Sequence, residues 1–194
     1  MSLIQHIQEH NARYASRFDR SKLALPPARQ WAIVACMDAR LTVEEVTGIG
    51  TGDAHIIRNA GGLATDDAIR SLVISTHLLG TNEFAIIEHT GCGMLTFEEE
   101  PVQRQIAERT GAETKSLRLY PFRDLEANLR EQVRRVVNSQ LLPKGIPVTG
   151  FVYEVETGRL RAAAAGITGA IAAGVTHDQT RAEEETKVGE EARG

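Results

Sequence analysis

Three short apolar runs, Trp31-Ala-Ile-Val-Ala35, Ala54-His-Ile-Ile-Arg58 and Phe84-Ala-Ile-Ile-Glu88, alternate with stretches of helical period, and this alternation constrains the fold most. Strands joined through helices run parallel, because the chain must recross the sheet before it starts the next strand. The joining segments read as a short helix near 42–47 and a longer one over 66–79. Asp66 and Asp67 at the start of the longer helix complement free backbone amides, and Gly80 offers a stop. Its Ile69, Leu72, Val73, Thr76 and Leu79 can face the sheet. Two further helices are expected over 101–110 and 124–140, with irregular chain over 111–123. Val148 to Val155 alternates like a strand, and Glu156-Thr-Gly158 turns it into a partner strand over 159–163. The expected fold is α/β: a mainly parallel central sheet of about four to five strands flanked by helices.

One domain spanning 1–163 is expected, with an N-terminal helical arm over about 1–25 and a C-terminal extension over 164–194. The arm carries Leu3, Ile4, Ile7, Tyr14 and Phe18 at roughly helical spacing before the Leu-Pro-Pro break at 25–27. Its apolar stripe has little of its own domain left to cover, so a homodimer or higher homo-oligomer is expected. The extension is first rich in Ala and Gly, then charged. Residues 178–194 hold six acids and three bases, a net of −3 out of −4 for the whole chain, and read as a solvated tail. The Ala/Gly-rich part, 162–175, reads as a packing or partner-covering segment, too short and too weakly apolar for a membrane span. Without a basic stripe, the chain has no electrostatic footprint for nucleic acid. The first ten residues lack the basic start and apolar core of a secretory signal, so a cytoplasmic protein is expected.

The chain has two cysteines, and each follows one of the apolar runs: Cys36-Met-Asp38-Ala-Arg40 and His89-Thr-Gly-Cys92. Two thiolates, an imidazole and a carboxylate suit zinc. Open parallel sheets gather ligands at the carboxyl ends of their strands, so neighbouring strands 31–35 and 84–88 would bring these side chains together. In a reducing compartment a Cys36–Cys92 disulfide is disfavoured, although a reversible redox switch is a separate reading of the pair.

The matching stretches Cys36-x-Asp38-x-Arg40, Gly52-Asp53-Ala54, Arg58-Asn59-Ala60-Gly61 and His89-Thr-Gly-Cys92-Gly93-Met94 closely resemble the β-class carbonic anhydrases, short-chain branch. The resemblance covers residues 31–94, with weaker similarity to about Leu160. It implies zinc held by Cys36, His89 and Cys92, with the fourth position open or taken by Asp38. The implied activity is reversible hydration of carbon dioxide, a small neutral triatomic substrate, to bicarbonate by hydroxide formed at the zinc. Asp38 and Arg40 would be the catalytic pair, the arginine holding the carboxylate off the metal as a gate.

Relatives with the same apparatus hydrolyse carbon disulfide or carbonyl sulfide instead, releasing hydrogen sulfide. The stretch Leu142 to Leu160 looks like the corresponding region of carbon disulfide hydrolase, as does Thr65 to Ser71. A closed structural zinc site with Asp38 as permanent fourth ligand, or a non-catalytic zinc-binding module, uses the same residues. His55 and His77 are proton-relay candidates in principle only, since histidines inside a strand and a helix are more often structural.

Overall fold

The computed structural model describes residues 1–170. Five strands, β1 (Trp31–Cys36), β2 (Ala54–Asn59), β3 (Glu83–His89), β4 (Pro147–Tyr153) and β5 (Leu160–Ile167), form one sheet in the order β2-β1-β3-β4-β5. β1 is parallel to both β2 and β3, β3 is parallel to β4, and β5 returns antiparallel along β4. The chain therefore starts in the middle, steps to one side, then crosses over β1 to the other. Its connections diverge at the carboxyl ends of β1 and β3, which makes that point the crevice of the sheet. Cys36 closes β1 and His89 closes β3.

One sheet face is thickly covered. α3 (Asp66–Leu79) and α5 (Leu125–Val137) lay Ala68, Ile69, Leu72, Leu129, Val133 and Val136 on Ala32, Val34, Phe84, Ile86, Val148 and Val152. Sequence starts and stops these helices. Thr65 accepts a hydrogen bond from the Ala68 amide, Asp124 from that of Ala127, and Gly80 ends α3 at φ 76°. The buried stripe of α3 is Ala68, Ile69, Leu72 and Ser75, so Thr76 and Leu79 lie off its centre.

The opposite face is thin. The short α2 (Val43–Thr47) and the residues before α4 (Glu99–Thr110) cover its upper end, leaving a groove of about 330 Å3 beside Trp31, Ile33, Val46, Ile49, Ala85 and Phe151. Among the described residues, none in α1 (Leu3–Ala15) is buried, although Ser2 and Gln5 form a reciprocal cap at its start.

Several boundaries differ from the sequence reading: β4 is Pro147–Tyr153 where 148–155 was expected, and three others shift as well. α4 begins at Glu99, α5 ends at Val137, and β5 continues through Ile167 into the Ala/Gly-rich stretch assigned to the extension. Small residues are needed there because α5 presses on the strand: a Cβ on Gly166 would stand 2.7 Å from Val137 Cγ2. The domain closes at Thr168, whose hydroxyl donates to the Pro143 carbonyl and accepts from the Ile146 amide. Most of the expected extension, 171–194, lies outside the described residues. Among those residues no helix is long and apolar enough to cross a membrane.

Candidate metal centre

The two ligand-bearing loops are built by backbone constraints. After Cys36 the chain turns tightly, Asp38 accepting from the amides of Arg40 at 2.9 Å and, through its carbonyl, Leu41 at 3.1 Å. Arg58, at the end of neighbouring β2, donates from Nε to the Cys36 carbonyl at 3.0 Å and from Nη2 to the Asp38 carbonyl at 2.7 Å. Gly62, at φ 69°, is wedged between the ends of β1 and β3. A Cβ there would lie 2.8 Å from the Ile87 carbonyl oxygen and 2.9 Å from the Cys36 nitrogen. In the second loop Gly91 takes φ 60°, which lets His89 and Cys92 turn to the same side.

Cys36, His89 and Cys92 are all buried, and one donor atom from each lies within 4.8 Å of the others. The sulfurs are 4.0 Å apart. Two sulfurs tetrahedrally placed on zinc span about 3.8 Å, so the pair fits with little movement. His89 Nδ1 lies 2.9 Å from the Thr90 carbonyl. A carbonyl only accepts, so Nδ1 carries the proton and Nε2 of the neutral ring has a free lone pair. That Nε2 is buried and lacks a hydrogen-bond partner among the described residues. A buried orphaned acceptor facing two thiols is the signature of a metal ligand.

Charge agrees. The Cys92 thiol donates to the Cys36 sulfur and, against the penalty of burial, helps pull Cys36 down to about 4, with His89 and the Asp38 and Gly61 amides assisting. Cys92 is pushed up in turn, by the Cys36 thiolate and by burial. Without a cation the pair thus holds one proton, and a cation is what allows the second to leave. Burial opposes charge on His89, but Cys36, the Thr90 carbonyl and Asp38 outweigh it and raise the ring, so a cation bound at Nε2 would have to displace a proton from it.

Asp38, expected either as a fourth ligand or as a gated carboxylate, is held by Arg40. Arg40 donates from Nε to Oδ1 at 2.9 Å and from Nη2 to Oδ2 at 2.8 Å, and Nη2 also reaches the Gly91 carbonyl at 3.0 Å. Oδ2 remains 3.6 Å from His89 Nε2, so the carboxylate borders the cluster. The Arg40 guanidinium, more than burial opposes it, holds Asp38 far below the usual carboxylate range.

The relay candidates lie elsewhere. His55 pairs with Ala32 in the sheet, about 13 Å along the strand from Cys36, and shares a hydrogen bond with Ser75. His77 is bonded to the Leu141 carbonyl. Sequence reading included Arg58 in a matching stretch without giving it a role, and passed over Glu88, Asn128 and Gln132. Glu88, one residue before His89, is 1% exposed, and burial pushes its carboxyl up to about 8 although the Asn128 amide opposes this. A carboxyl at the end of an otherwise apolar run was the available signal.

The carbonic anhydrase family model matches residues 31–160, the stretch that contains every residue of this centre. The chain belongs to the β-carbonic anhydrase family. Beta-carbonic anhydrase 1 of Mycobacterium tuberculosis is 45% identical over 161 residues, covering 82% of this chain and 97% of its own. A carbon disulfide hydrolase of Acidithiobacillus thiooxidans is 35% identical over 184 residues, covering 83% and 90%. The crystal structure of a carbonic anhydrase from Streptococcus mutans superposes with a TM-score of 0.80 at 40% identity, covering 84% of this chain and 98% of its own. This β-carbonic anhydrase family member is therefore an enzyme with a Cys-His-Cys cluster at the switch point of its sheet.

Proposed function

We propose that this chain is a zinc carbonic anhydrase that hydrates carbon dioxide reversibly to bicarbonate. The observation that carries the reading is His89 Nε2, a buried orphaned lone pair facing Cys36 and Cys92 beside the arginine-held carboxylate of Asp38. Zinc held by Cys36, His89 and Cys92 supplies the Lewis acidity that brings the ionisation of water down toward neutral pH.

Cys36 and Cys92 contribute two negative charges, which leaves less Lewis acidity than three neutral imidazoles would. Asp38 compensates. Kept ionised by Arg40, it can only accept, so it takes a hydrogen bond from the reacting water and turns a lone pair toward the substrate carbon. Arg40 fixes that carboxylate in a two-point grip and ties it to the Cys92 loop through Gly91. Gly62 and Arg58 hold the Cys36 loop in place.

The functional unit is proposed to be a homo-oligomer in which α1 of one copy covers another. Ile4 and Leu3 on α1 are 68% and 74% exposed, and the groove beside Trp31 and Phe151 is open, so each copy carries both an apolar stripe and an apolar recess.

Hydrolysis of carbon disulfide or carbonyl sulfide is the second reading, supported by the 35% identity to carbon disulfide hydrolase over most of the chain. Kinetics of the zinc-loaded protein with carbon dioxide, carbonyl sulfide and carbon disulfide side by side test the two. Carbon dioxide hydration exceeding both sulfur activities supports the first; turnover of a sulfur substrate with negligible hydration supports the second.

A further inference from the structure

Two side-chain amides of α5, Asn128 and Gln132, link Glu88 on β3 to the turn after β2. Glu88, next to His89 on β3, accepts from Asn128 Nδ2 at 2.7 Å. Asn128 Oδ1 accepts from Gln132 Nε2 at 3.1 Å, and Gln132 Oε1 accepts from the Ala64 backbone amide at 2.9 Å. Gln132 is 7% exposed, and each end of its side chain is matched. Ala64 closes the turn 59–64, which Asn59 also braces by bonds to the Leu63 amide and carbonyl.

That turn touches the centre twice. Gly62 abuts the Cys36 nitrogen and the Ile87 carbonyl so closely that no Cβ fits. The backbone at Cys36 sets where its sulfur stands, so the seating of this turn tunes how tightly a metal is held there.

We propose that Gln132 is a positioning residue for the metal centre: by holding the Ala64 amide it keeps the 59–64 turn seated, and with it Gly62 against the Cys36 nitrogen and the Ile87 carbonyl. Its side chain touches neither metal ligand nor substrate. The role rests on the zinc reading above. α5 thereby does more than cover the sheet; it fixes the turn against which the end of β1 and its thiolate are placed.

Gln132→Met keeps the size of the side chain and removes both hydrogen bonds. Val136→Ala, a buried truncation on the same helix outside this link, serves as the control for general loosening. Zinc release to a chelator and the thiolate charge-transfer band of the cobalt-substituted protein are the readouts. Gln132→Met is expected to release zinc about tenfold faster and to shift the band. Val136→Ala is expected to lower thermal stability and leave the band in place. A Gln132→Met protein with the natural release rate and band overturns the proposal, as does an equal shift in both variants.

Amide hydrogen exchange on the natural chain provides a readout that needs no variant to fold. The Leu63 and Ala64 amides are expected to exchange together with those of α5; an Ala64 amide exchanging as fast as exposed loops beside a protected α5 overturns the proposal. Failure of the natural chain to retain zinc would refute the metal reading, whereas the exchange experiment would still decide whether this link seats the turn.

Discussion

Arg40 grips Asp38 through two parallel hydrogen bonds, Nε to Oδ1 at 2.9 Å and Nη2 to Oδ2 at 2.8 Å, while leaving Asp38 Oδ2 3.6 Å from His89 Nε2. The spacing of two residues makes this possible, because the tight turn after Cys36 folds the arginine back over the carboxylate. On the proposed reading, an acceptor held by Arg40 beside Cys36, His89 and Cys92 separates metal binding from turnover.

Asp38→Ala is therefore expected to retain zinc and lose turnover by about a hundredfold or more, the scale of a positioned proton acceptor. Metal analysis beside stopped-flow hydration checks both halves. Full activity in this variant would refute the role given to Asp38.

Cys92→Ser behaves oppositely. Serine is a far weaker zinc ligand at neutral pH and stays protonated, so the variant is expected to lose its metal on dialysis and its activity with it. Zinc content after exhaustive dialysis is the measurement, and retention equal to that of the natural chain would remove Cys92 from the ligand set.

Gly62→Ala is expected to destabilise the fold strongly. The positive φ alone costs a non-glycine residue about 1–3 kcal/mol, and here the new methyl would also meet the backbone of both ligand-bearing strands. Because the displaced atoms are the Cys36 nitrogen and the Ile87 carbonyl, zinc affinity should fall together with the denaturation midpoint.

A pH signature is expected away from the centre. Glu99 accepts from the Leu119 and Tyr120 amides at 2.9 and 3.0 Å, and these bonds, foremost the Leu119 amide, hold its carboxyl below the ordinary value of 4.5. The unfolded chain then binds more protons than the folded one just below that value, so this contribution is complete above it and is lost as pH falls through the folded value. Glu99→Gln should lower stability at pH 7 and differ less from the natural chain at pH 3, as read by chemical denaturation.

Much of this architecture is legible in the residues. Trp31–Ala35 and Phe84–Ile87 are apolar throughout, as strands buried on both faces must be, and Gly80 marks the end of α3. The convergence of Cys36 with His89 follows once those runs are taken as neighbours. What stayed hidden depends on contacts between distant elements. The second half of β5 is disguised by Ala164–Gly166, where a Cβ on Gly166 would meet Val137 of α5. Gln132 has no local signature either, since its partner is a backbone amide 68 residues earlier. Arg58 lay within a stretch already singled out, but its work on the Cys36 and Asp38 carbonyls needs β2 beside β1, which only the sheet order reveals.

Removing the arm, residues 1–24, is expected to lower the mass seen by sedimentation to that of a single chain while leaving the Cys36–His89–Cys92 cluster able to take zinc. An unchanged mass would assign the apolar stripe of α1 another role.

The central claim is that zinc at Cys36, His89 and Cys92 is required for carbon dioxide hydration. Stopped-flow hydration should be measured on the purified chain as prepared, after chelation, and after return of one equivalent of zinc. Loss of hydration on chelation and its recovery with zinc is the predicted result; a zinc-loaded protein that does not accelerate hydration, or one whose activity survives complete removal of the metal, would contradict it.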